Sequence, residues 1–167
     1  MPTLKEIADL IDEDFLRSLP PKEFGKYMAP IAERWIKKKF KEELDVDLEI
    51  IKDESLQYDL MSSIDKMRWQ IKFRHQTAKT PFGGQLYTHN WRQVNQYKIG
   101  NFDCIIFVIY HKNDREDWSI CFIPTYKCID PNNPLYVLKN IPPKLLKEGA
   151  EWKTEFNNFK NLFTKEN

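Results

Sequence analysis

The run Cys104-Ile105-Ile106-Phe107-Val108-Ile109-Tyr110 contains no polar face. It is too short for an ordinary helix and is dominated by β-branched and aromatic residues, so it reads as a strand. Side chains of a strand alternate between the two faces of its sheet, and a strand apolar at every position must be covered on both faces. That requires a sheet with helices packed against each side. A charged turn from His111 to Asp117 separates this run from Trp118 to Ile123, a second strand expected to pair antiparallel with it.

The rest of the chain supplies the layers. Leu4, Ile7, Ile11 and Phe15 recur at helical spacing, and Pro20-Pro21 ends that element. A second helical segment, from about Lys22 to Leu44, carries Phe24, Met28, Ile31 and Trp35 on one face and Ala29, Ile36 and Phe40 on another. A helix apolar on two faces belongs in a core. Glu33 interrupts its second apolar face, and Pro30 allows a kink or a restart. Short strands are expected at Leu48–Ile51 and Leu56–Leu60, followed by Met67 to Phe73, where Met67, Trp69, Ile71 and Phe73 alternate with Arg68, Gln70 and Lys72. Gly83-Gly84 marks a turn, Leu86 to Tyr97 fits a polar helix, and prolines at 131, 134, 142 and 143 punctuate a loop before a final helix from about Glu151 to Phe163. The order of elements predicts an α/β or α+β fold, with a central mixed sheet flanked by helices.

With 167 residues and 41% apolar content, one domain spanning 1–167 with a full core is expected. The N-terminal residues lack a long apolar run, which points to a soluble cytoplasmic protein without a membrane partner. Cys104, Cys121 and Cys128 are odd in number and lack C-x-x-C spacing, so buried free thiols are expected rather than disulfides or a zinc site. Serine-hydrolase and nucleotide-loop readings fall away, because Ser62-Ser63 has no accompanying histidine pattern and no glycine-rich phosphate loop exists.

A formal net charge of +1 conceals local segregation. From Lys66 to Phe102 there are seven lysines and arginines and no acid. Such a field can dock a phosphate backbone without making the whole surface basic. Just before and within it lie Asp59 and Gln70-Ile71-Lys72. Phosphodiester hydrolysis needs charge neutralisation, an activated water and a stabilised leaving oxygen, all of which a divalent metal can help supply. Magnesium takes oxygen ligands, so Asp59, the Gln70 side-chain oxygen and the Ile71 carbonyl form a candidate set. Lys72 shares a strand face with Gln70, where its ammonium can orient water or offset charge on phosphate. Glu33 is a candidate outer carboxylate or ligand of a second ion. Taken alone, the polar face of this strand equally describes the solvent side of an antiparallel strand, Asp59 a turn acid, and Glu33 an i,i+4 partner of Lys37.

Glu33 on a helix, Asp59, and Gln70-Ile71-Lys72 on a strand, followed by a helix and an apolar strand, resemble the PD-(D/E)xK nuclease superfamily in its type II restriction endonuclease style. The resemblance covers about Gly25 to Pro124. It implies a mixed sheet with flanking helices and magnesium-dependent cleavage of double-stranded DNA at a short sequence. By position it makes Asp59 and Gln70 metal-binding, Lys72 the catalytic lysine and Glu33 the helix carboxylate. Two positions depart from the pattern: Tyr58 stands where proline is usual, and Gln70 where Asp or Glu is usual.

Sequence readout is expected from the acid-free segment. Lys and Arg contact phosphates, while Gln, Asn, Arg and His can pair with base edges in the major groove. Arg68, Arg74, Gln76, Lys79, Gln85, His89, Asn90, Arg92 and Gln93 are the candidate DNA-binding residues. Cutting both strands of a two-fold site would suit a homodimer.

Overall fold

The computed structural model describes residues 21–53, 55–63, 65–76, 97–111 and 118–165. The expected helix around Leu4–Phe15, the Gly83-Gly84 turn and the 112–117 turn lie outside the described residues, as does the expected Leu86–Tyr97 helix apart from Tyr97 itself.

Helix α1 (Pro21–Leu44) runs through Pro30 without a break. Its buried stripe is Ala32, Ile36 and Phe40, spaced by four so that all three project from one face. The helix stops at Asp45, which takes the left-handed conformation (φ 55) that Asp tolerates better than most residues. There the Asp45 and Val46 amides donate to the carbonyls of Lys41 and Phe40, each at 3.2 Å, and satisfy the helix end. The lysine run along this helix is neutralised locally: Lys39 pairs with Glu43 at 2.6 Å, and Lys41 with Asp45 at 3.0 Å.

Five strands follow: β1 (Leu48–Ile50), β2 (Leu60–Ser62), β3 (Arg68–Gln76), β4 (Cys104–His111) and β5 (Trp118–Pro124). They lie side by side in chain order as one mixed sheet. Only β3 and β4 pair in parallel, and the remaining pairs are antiparallel. The expected strand at Leu56–Leu60 is displaced, because β2 begins only at Leu60. The physical reason is local. Asp53 Oδ1 accepts hydrogen bonds from the Ser55 amide at 3.0 Å and its hydroxyl at 2.6 Å, a turn that competes with ladder pairing.

Every residue from Cys104 to Ile109 is buried, as a strand without a polar face requires. On one side of the sheet, Trp69, Ile71, Cys104, Ile106 and Phe122 pack with the stripe of α1 and with Phe156 and Phe159 of α3 (Trp152–Lys165). On the other, Ile105, Phe107, Cys121 and Ile123 pack with Val137, Ile141 and Leu146. Leu146 belongs to α2 (Pro143–Gly149), a helix in the stretch that the prolines mark as loop. Proline at the first helical position loses no intrahelical bond and is pre-set for the helix, so Pro143 starts this element rather than preventing it.

Helix α2 ends where its backbone touches β5. A Cβ on Gly149 would sit 2.8 Å from the Phe122 carbonyl oxygen and 3.2 Å from its amide nitrogen. We expect Gly149→Ala to cost about 1–3 kcal/mol, through displacement of α2 from the sheet. The midpoint of urea unfolding checks it, and an unchanged midpoint would mean that the helix shifts freely.

The three cysteines are buried free thiols, as expected. Burial pushes Cys121 and Cys128 up to about 12 and raises Cys104 as well, so all three are neutral core side chains at physiological pH. No described helix is long and apolar enough to cross a membrane.

Candidate active site

Strands β2 and β3 pair only at their beginning, Leu60 with Trp69 and Met61 with Arg68. Beyond that point β3 continues beside β4, and its other edge is met by the chain just before β2. The Asp59 amide donates to the Trp69 carbonyl at 2.8 Å, and Asp59 Oδ2 accepts the Ile71 amide hydrogen at 2.9 Å. One residue thus binds the strand edge twice, by its backbone and by its carboxylate. In a strand the N–H and C=O of a residue leave on the same edge, so the Ile71 carbonyl leaves on the edge that Asp59 occupies. The carboxylate and the Ile71 carbonyl therefore share an edge before any ligand arrives.

Gln70 and Lys72 project from the opposite face of β3 to Trp69 and Ile71. This face is partly covered, and Arg68, Lys72 and Arg74 on it are half-buried. Its neighbours in register are Ile105 and Phe107 of β4, and Gln70 is only 9% exposed. A solvent-facing strand would leave such a glutamine wet, so the bland reading of the alternation does not describe Gln70. The Lys72 ammonium donates to the Tyr97 hydroxyl at 2.6 Å and lies 4.9 Å from the centre of that ring.

Asp59, Gln70 and Tyr97 line a cavity of about 470 Å³ together with Asp53, Ser55 and Tyr58, among others; Ile71 and Lys72 are not in its lining and reach it through their bonds to Asp59 and Tyr97. Asn101 fastens its wall by donating to Gln57 Oε1 at 2.6 Å. Of these lining residues, Asp53, Ser55, Tyr58 and Tyr97 lie outside the set inferred from sequence. Tyr97 lacks any motif, and only the path of the chain into β4 brings it to Lys72. Asp53 is one of several acids in the region, and its position follows from the turn with Ser55, whose hydroxyl and amide hold its carboxyl below the usual range. Asp65, another of those acids, is engaged by the Ser62 hydroxyl.

Glu33 is buried at 6% exposure on α1 and is not among the residues lining the cavity. Its helix packs on the Trp69 and Ile71 side of the sheet, opposite to Gln70 and Lys72. The structure thus brings Asp59 and Gln70 to one cavity, with Ile71 bonded to Asp59 and Lys72 bonded to Tyr97 of its wall, and places Glu33 on the helix behind them.

The basic residues of β3 are partly committed within the fold. Arg68 donates from its amide to Asp103 Oδ2 at 2.8 Å, its guanidinium reaches the same carboxylate at 3.4 Å, and it lies over the Tyr58 ring. Asp103 is the first acid after the acid-free stretch in sequence, and parallel pairing of β3 with β4 returns it to the start of that stretch. The Arg74 guanidinium donates to the Phe73 carbonyl at 2.7 Å and stacks over Phe107 at 5.5 Å. Burial lowers it from its ordinary value, opposed by the nearby Tyr97 phenol. Gln76 ends β3, and Lys79, Gln85, His89, Asn90, Arg92 and Gln93 lie outside the described residues.

The donor set fits a hard divalent cation. Asp59, Gln70 and Ile71 contribute oxygen only, from one carboxylate and two neutral carbonyls. No group of three or more His, Cys, Asp and Glu side chains with metal-site spacing occurs among the described residues. Any ion here would be held with low ligand charge. No protein-family model matches this chain, and no curated protein is significantly similar to it.

Proposed function

We propose that this chain is a magnesium-dependent endonuclease that hydrolyses phosphodiester bonds of double-stranded DNA, in the manner of a type II restriction enzyme. The observation that carries the reading is the hydrogen bond from the Ile71 amide to Asp59, which locks a carboxylate to the Gln70-Ile71-Lys72 strand at the rim of a polar cavity. In this reading Asp59, Gln70 and the Ile71 carbonyl hold the ion. When bound, magnesium supplies charge neutralisation at the scissile phosphate and acidifies a water. Lys72 orients the attacking water and offsets charge that builds on the phosphate as the leaving oxygen departs. Asp59 is already fixed by its bond to the strand, so little reorganisation is needed when substrate arrives. The acid-free segment around Arg92 and Gln93 supplies phosphate and base contacts, and a cytoplasmic homodimer would cut the two strands of a symmetric site.

Plasmid DNA incubated with the purified protein should give discrete fragments with magnesium and none with EDTA. Structure-selective cutting of branched DNA would instead favour a repair or junction-resolving nuclease. Gln70 in place of an acid also supports a second reading, a silent DNA-binding module, and binding without cutting under any divalent metal would establish it. Gln70→Glu adds a second carboxylate to the candidate set. Because affinity follows ligand charge, it should lower the magnesium concentration for half-maximal cleavage by about tenfold. A magnesium titration of the initial rate measures this, and an unchanged midpoint would place Gln70 outside the metal shell.

A further inference from the structure

We infer that Tyr97 is the positioning residue of Lys72, an inference that rests on the nuclease reading of this cavity. A lysine carries a flexible four-carbon stem, and an ammonium that must act at one atom gains from losing that freedom before substrate binds. One contact restrains it here, the 2.6 Å hydrogen bond to the phenol oxygen, which sets the ammonium 4.9 Å from the ring centre, beyond the hydroxyl edge. Tyr97 is itself fixed. Its carbonyl accepts the Val137 amide at 3.0 Å, and the next residue, Lys98, bridges to Tyr136. Its ring stands edge-on to buried Phe102 at 5.3 Å. The hydroxyl is thus held from the 136–137 segment and from Phe102, both outside the Asp59–Ile71 pair. Because the phenol accepts from the ammonium, its own O–H is directed away from Lys72, and Tyr97 also lines the cavity where a phosphate would lie.

Tyr97→Phe keeps the ring, its packing on Phe102 and its backbone bonds, and removes only the hydroxyl. The inference predicts a single-turnover cleavage rate about tenfold lower, with plasmid affinity within about twofold of wild type. It also predicts that the Lys72 ammonium, well ordered in wild type by ¹⁵N relaxation of its Nζ group, gains motion in Tyr97→Phe until it matches exposed lysines such as Lys38. Tyr97→Leu should lose the same hydrogen bond, together with the packing on Phe102, and show no less motion. A Lys72 group equally ordered in wild type and Tyr97→Phe, or a Tyr97→Phe rate within twofold of wild type, overturns the inference. A wild-type protein that never cuts overturns the nuclease reading instead, and the Lys72 order measurement, which needs no activity, then decides whether Tyr97 restrains the ammonium.

Discussion

Asp59→Ala and Lys72→Ala should each lower single-turnover cleavage of plasmid DNA by about 10²–10³-fold or more, the scale on which loss of one preorganised charge-stabilising group is felt. The two losses differ in kind. In the proposed nuclease, removing the Lys72 ammonium would take away charge at the phosphate while leaving the Asp59–Ile71 bond in place. Removing the Asp59 carboxylate also leaves the Ile71 amide without the acceptor it has at 2.9 Å. Because Asp59 itself lines the cavity, water can enter the space its carboxylate leaves beside that amide, and Asp59→Ala should additionally cost only about 1 kcal/mol of stability. Cleavage assays combined with thermal unfolding separate these effects. Either variant cutting at wild-type rate would remove its residue from the site, and an equal loss of stability in both would mean that the Asp59–Ile71 bond contributes nothing to the fold.

The largest expected loss of stability is at Trp69. It is fully buried, with ring centres 4.9 Å from Phe40, 5.9 Å from Phe156 and 6.1 Å from Phe122. It therefore joins α1, α3 and β5 to the middle strand of the sheet. Trp69→Ala should cost about 3–5 kcal/mol, a large share of what a domain of this size possesses. Trp69→Phe should cost much less. The indole Nε1 hydrogen finds no hydrogen-bond partner among the described residues, so phenylalanine removes an unsatisfied donor along with the lost area. Urea unfolding followed by circular dichroism measures both, and equal costs for the two substitutions would contradict the packing account. Trp69 also carries the carbonyl that receives the Asp59 amide, so loosening it should weaken cleavage even where the protein remains folded.

Periodicity made strands legible at Met67 to Phe73, Cys104 to Tyr110 and Trp118 to Ile123, because burial on one or both faces imposes a distinctive pattern on each, although β3 runs on to Gln76. It also made α1 legible, although Pro30 left open a break that the packed helix does not take. It failed where local chemistry outweighs pattern. Leu56 to Asp59 has strand-like composition, but the turn at Asp53 takes the amides of Ser55 and Leu56, and bonding to the sheet begins at Asp59. Pro142-Pro143 has the look of a loop, and yet proline is a natural helix start. The same division runs through the site. The placement of Gln70 and Lys72 on one face follows from alternation alone. By contrast, the position of Asp59 beside Ile71, the exposure of Gln70 and the partner of Arg68 depend on which strands pair.

The covering of β4 on both faces and the shared face of Gln70 and Lys72 were legible in the sequence alone, since each follows from side-chain spacing along one segment, and the sheet flanked by helices followed from the order of elements. The bond from Ile71 to Asp59, the return of Asp103 to Arg68, the placing of Glu33 behind the sheet and the grip of Tyr97 on Lys72 were decided only by the tertiary structure. Each depends on the meeting of segments far apart in the chain. No local pattern encodes such meetings, because they arise from the combined packing of the whole core.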